Sequence, residues 1–172
     1  MVSGETGHKH SRKPIIVAAI AAVAAAVVGG LLTNLGPWYF ALKQPSWKPP
    51  DWLFGPAWTT IFACAATAGV LAWNRADTSK SRTTIIALFA INFCFNSLWS
   101  LLFFKLQRPD WALLEVGFLW LSIAALIWFL YRLSKLASVL LLPYLLWVSF
   151  ASMLNWKIVQ MNAPFFGVSP GV

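Results

Sequence analysis

Apolar residues in this chain gather in five long runs, at 15–35, 53–73, 83–104, 111–131 and 136–158. Each is close to the roughly 20 residues that a helix needs to cross a bilayer. Between the last four runs the breaks are short and polar, at 74–82, 105–110 and 132–135, so consecutive spans should run antiparallel. A span in lipid must satisfy its own backbone, which leaves helices or a closed barrel. A barrel needs many short alternating segments, and these are not seen. The pattern predicts an all-α fold: a five-transmembrane-helix bundle at 15–160, with a basic polar tail at 1–14 and a short C-terminal tail at 161–172. The first run reads as a span and not a signal peptide, because no small-residue cleavage site leads into a polar start.

Composition agrees. Hydrophobic residues make up 59% of the 172 and charged residues only 10%, against about 25% charged in a soluble domain. The net charge of +8 comes from basic residues set singly at the ends of apolar runs. That is membrane placement, not a nucleic-acid surface. Eight Lys/Arg fall on the side of the N-terminus and five on the other, which favours a cytoplasmic N-terminus. Cys64 and Cys94 lie inside apolar runs and read as free thiols.

The longest break carries the most distinctive chemistry. Residues 36–58 hold five of the ten prolines and four of the eleven tryptophans. Proline fixes φ and lacks an N–H, so this stretch cannot be one helix. A stiff aromatic loop between two spans is either a lid over a pocket or an anchor at the lipid–water interface.

Spacing then selects faces. Ala18, Ala22, Ala26 and Gly30 are four apart, as are Ala21, Ala25 and Gly29; small residues so spaced let helices approach closely within the bundle or between subunits. Trp58 and Phe62 share a face just past the loop. Asn92 and Asn96, continuing to Trp99 and Ser100, put two amides inside a span, where they must be bonded or face something wet. They read as interhelical ties, as a polar pocket floor, or both. Trp147, Ala151 and Asn155 form a face after Pro143 that can border a cavity, and Pro143 should bend the helix. Glu115, near the end of its span, reads as an acid reaching to the interface.

No metal-ligand cluster, acid–base pair, catalytic triad or phosphate loop is evident, and the only histidines are His8 and His10. A haem in the bundle would have to be held by stacking and shape.

Taken in order, Trp38-Tyr39, the stretch Leu42-Lys43-Gln44-Pro45-Ser46-Trp47-Lys48-Pro49-Pro50, Phe54-Gly55-Pro56-Ala57-Trp58, Asn92 to Trp99, Phe103-Phe104, Pro143-Tyr144-Leu145-Leu146-Trp147 and Leu154-Asn155 resemble the translocator protein family. These are the tryptophan-rich sensory proteins of bacteria and the peripheral-type benzodiazepine receptors of mitochondria. The resemblance implies a lipid-embedded bundle, often a homodimer, with the Pro/Trp-rich loop capping the pocket. It implies a ligand site of Tyr39, Trp58, Phe62, Asn92, Asn96, Trp99, Ser100, Trp147 and Ala151. The implied ligands are protoporphyrin IX and haem, and beyond them sterols and benzodiazepine- or isoquinoline-type drugs. It implies no obligatory cofactor, no metal and no nucleic-acid partner. The implied role is tetrapyrrole sensing, sequestration or transport, in a bacterial cell membrane by preference over the mitochondrial outer membrane. The alternative is a light- and oxygen-dependent porphyrin-degrading enzyme using Trp58 and Trp147. Gln44 departs from the family pattern, which reads Lys-Pro directly. Phe62 also departs, standing where many members have tyrosine.

Overall fold

The structure is a computed structural model that describes residues 12–166. Those residues form helices and loops without strands. Five segments are long and apolar enough to span a membrane: Lys13–Leu32, Asp51–Arg75, Ser79–Lys105, Pro109–Tyr131 and Lys135–Asn162. The predicted five-helix bundle is thus what forms. The histidines of the N-terminal tail lie outside the described residues.

Helix α1 (Lys13–Leu32) leads into a short helix α2 (Pro37–Ala41), an extended stretch and a 3₁₀ turn (Asp51–Leu53). Then come α3 (Phe54–Arg75), α4 (Ser79–Ser100) with a π turn (Leu101–Lys105), α5 (Pro109–Tyr131), α6 (Lys135–Val139) and α7 (Leu142–Asn162). Proline occupies the first turn of α1, α2, α5 and α7. There its missing N–H is one the helix could not have used. Thr78 and Ser134 cap α4 and α6 through their side-chain oxygens.

Helix α5 is the hub and packs against α4, α6 and α7, while α1 lies against α3 and α4. The core is stacked in three tiers. One, around Ala72, Leu126 and Leu141, lies toward the face that bears the N-terminus. A middle tier is built on Ile61, Ile123, Tyr144 and Val148. The third, around Tyr39, Phe103, Ala112 and Leu154, lies under the long loop.

Three expectations change. Pro143 does more than bend the last span: the chain breaks into α6 and α7, because an upstream helix cannot run into a residue that lacks the N–H and crowds the preceding turn. Glu115 does not reach the interface. It is 7% exposed, since it lies on the inward stripe of α5 with Ala112, Leu119 and Ile123. The alanine ladder is only half inward: Ala18 and Ala22 are half-buried, whereas Ala26 and Gly30 are exposed. A Cβ built on Gly29 or Gly30 would meet nothing within 4 Å, so close helix approach does not occur there.

Candidate functional site

The loop is a braced lid. Tyr39 is buried, and its hydroxyl donates to Asp51 Oδ1 at 2.7 Å. Lys48 Nζ donates to the same oxygen and sits 5.3 Å from the centre of the Tyr39 ring. Burial first, and then the bond to Asp51, hold the phenol well above its ordinary pKa, so Tyr39 remains a neutral donor. The extra residue Gln44 ties back to the Tyr39 carbonyl through Nε2 at 3.3 Å. Trp38 and Trp47 set their edges against Phe103 and Phe150, whereas Trp52 points outward at 71% exposure. Finally, the lid is clamped to α7. The Lys43 N–H donates to Asn162 Oδ1, and Asn162 Nδ2 donates to the Lys43 carbonyl, each at 2.8 Å. Asn162, expected to lie in the C-terminal tail, is the last residue of α7.

Beneath the lid the aromatic residues converge. Trp58 stacks on Phe62 with ring centres 5.4 Å apart and meets Tyr144 edge-on at 5.9 Å. Trp99 stacks on Phe103 at 5.1 Å, and Trp147 meets Phe54 edge-on at 5.4 Å. Trp58, Phe62, Trp99 and Trp147 all pack on the middle tier. The π turn Leu101–Lys105 follows Ser100 and brings Phe103 and Phe104 to 4.8 Å. Such turns often mark functional sites. Ala151 is half-buried, one turn beyond Trp147 on α7.

The two amides of α4 differ. Asn92 Nδ2 donates to Ser122 Oγ at 2.8 Å, and its Oδ1 accepts from the Tyr144 hydroxyl at 3.2 Å. It ties α4 to α5 and α7. Asn96 makes no such tie: its side chain is 7% exposed and lines a cavity, and the contact to Ser100 uses only its backbone carbonyl. Asn155 ends on neither: with its amide oriented to satisfy both groups, it donates to the Pro109 carbonyl and accepts from the Leu113 N–H, each at 3.1 Å. That locks α7 to the first turn of α5.

Among the described residues, four buried side-chain polar atoms lack a protein partner: the indole Nε1 of Trp99 and of Trp147, and both carboxylate oxygens of Glu115. An unmade bond of this kind costs about 1–3 kcal/mol, so such groups are uncommon in a finished core. Sequence reasoning missed Glu115 as an interior group, though its spacing from Ala112 and Leu119 was the signal. It also missed Asn162, for which a lone asparagine at a helix end gave none. Among the described residues no group of three or more His, Cys, Asp or Glu could hold a metal ion.

A cavity of about 1520 Å³ lies between α1, α3 and α4. It holds Phe62, Asn92 and Asn96 of the expected site, but its lining does not include Tyr39, Trp58, Trp99, Ser100, Trp147 or Ala151. It runs instead toward the face that bears the N-terminus, past Trp73, Asp77 and Arg82.

The sequence profile of the TspO/MBR family matches residues 16–161. The tryptophan-rich protein TspO of Chlorobaculum tepidum is 43% identical over 126 residues, 73% of this chain and 80% of that protein. The TspO of Archaeoglobus fulgidus is 37% identical over 151 residues, 87% of this chain and 97% of the relative. The human translocator protein is 31% identical over 126 residues, 73% of this chain and 75% of its own length. Five spans, a clamped aromatic lid and a match across nearly all of the bundle lead to one conclusion: the chain is a multi-pass membrane protein belonging to the TspO/MBR family.

Proposed function

We propose that this protein binds tetrapyrroles, protoporphyrin IX and haem among them, within the bundle beneath the lid, and acts in their sensing, sequestration or transport. The observation that carries the reading is the pair of unpartnered indole N–H groups, on Trp99 and Trp147, set in a cluster of packed aromatic rings. A tetrapyrrole is flat and apolar and carries carboxylate acceptors. Flat rings offer area to Trp58, Phe62, Trp99 and Trp147, and the donors offer polar handles, the usual make-up of a small-molecule pocket. Haem binding on this reading rests on stacking and shape. Greater identity to prokaryotic relatives than to the human one supports a prokaryotic cell membrane as the host. The test is a thermal-shift panel in detergent with protoporphyrin IX, haem, cholesterol and an isoquinoline drug. Tetrapyrroles should give the largest stabilisation, reduced in Trp147→Phe; no shift with either tetrapyrrole refutes the reading.

A second reading is favoured by the same placement of oxidisable rings: light- and oxygen-dependent breakdown of porphyrin at Trp58 and Trp147. It requires a defined product that forms only with light, oxygen and both indoles. Bleaching at the rate seen in detergent alone rules it out.

A further inference from the structure

We propose that the chamber between α1, α3 and α4 is a second binding site, entered from the face that bears the N-terminus, for an anionic amphiphile with a flat, rigid, apolar body. For the ligand class it rests on the tetrapyrrole reading above; the place, the entrance and the anchoring residues are additional.

The chamber is large, about 1520 Å³, against the roughly 300–1,000 Å³ of ordinary ligand pockets. Its walls are small and smooth: Ala18, Ala22 and Ala25 on α1 face Ala65, Ala66 and Gly69 on α3. No residue of α1 is buried, even though α1 lies against α3 and α4. The short alanine side chains line this space without filling it.

The two ends of the chamber are polar in different ways. At the mouth, Lys13 and Arg82 provide positive charge and Asp77 one negative charge. The guanidinium of Arg82 lies 5.3 Å from the centre of the Trp73 ring, and among the described residues no carboxylate is paired to it. A stacked guanidinium keeps its outer N–H groups for an anion. At the inner end, Asn96 is more than nine-tenths buried, its side chain makes no hydrogen bond among the described residues, and it lines the chamber. An amide kept in this state inside a span points to a ligand group that it contacts. Phe62 closes this end and stacks on Trp58 of the lid cluster, so the chamber and the lid-side site share one wall.

A flat acid would place its carboxylate at Arg82, its body between the alanine walls and its far edge at Asn96. The test titrates protoporphyrin IX and its uncharged dimethyl ester into the full chain in phosphatidylcholine nanodiscs, following tryptophan quenching. Two saturable phases should appear. Trp147→Phe should weaken the lid phase alone. Ala22→Phe, or Ala66→Leu from the facing wall, should remove the chamber phase alone, with the ligand-free melting temperature showing that each variant folds. Arg82→Gln should weaken the chamber phase about tenfold for the acid, the scale of a charge-assisted bond, and leave the ester unchanged. The proposal is overturned if both wall variants, folded, keep two phases. It is also overturned if Arg82→Gln affects acid and ester alike, or if phosphatidylglycerol in the nanodisc displaces the chamber phase and so claims the site for lipid. Loss of the lid phase in wild type, with the chamber phase intact, would count against the lid-side reading only.

Discussion

Asn92 and Asn96 sit one turn apart on α4 and look alike in the sequence, yet only Asn92 is bonded across the bundle. Spacing alone placed both on an inward face. It could not separate them, because the difference comes from Ser122 and Tyr144 on other helices. Asn92→Ala should therefore destabilise by about 1–3 kcal/mol, as it strands the buried Tyr144 hydroxyl, while Ser122 keeps its bond to the Leu119 carbonyl. Asn96→Ala should stay within about 0.5 kcal/mol, as expected of a group with no protein partner. Thermal unfolding of the two variants side by side checks this, and ligand affinity should respond in the opposite order. Glu115 tests the same logic in reverse. Both its oxygens lack partners in a buried setting, so Glu115→Leu should raise the melting temperature. A fall in melting temperature would show that the carboxyl is held by contacts that stabilise the fold.

At the scale of elements, periodicity served well for the three middle spans and less well for the first and last. A ladder of residues four apart drifts by about 40° at each step relative to the 3.6-residue turn. Ala18 and Ala22 therefore face inward while Ala26 and Gly30 do not. In the last span Pro143 was legible, but its effect depends on what precedes it. Because it sits in the first turn of α7, Pro143→Ala should change stability by no more than about 0.5 kcal/mol, not by the roughly 3 kcal/mol of a mid-helix proline. Thermal unfolding decides between these. The lid was legible as a stiff aromatic segment, and its closure was not. The clamp joins residues 119 positions apart, and nothing local in the chain marks it. Asn162→Ala should release the loop, seen as faster amide exchange across 42–50 with the helices unaffected.

For the whole molecule, hydropathy alone identified the number of spans and their alternation, since lipid permits so few other folds. The large chamber was invisible because it is a gap between helices, lined from several separate segments of the chain. Aromatic–cation pairs mark both faces of the bundle: Arg108 lies 4.2 Å from the Trp111 ring on the lid side, and Arg132 lies 4.0 Å from the Trp128 ring on the other. With Lys and Arg richer on the side of the N-terminus, that face should be cytoplasmic, and a reporter fused there should be active only inside the cell. The Lys43–Asn162 clamp has a consequence for biosynthesis. The loop emerges from the ribosome early, but the asparagine that fastens it arrives with the final turn of the last helix. A nascent chain with four spans inserted would carry an unlatched cap, so the capped site can form only after the last span has entered the membrane.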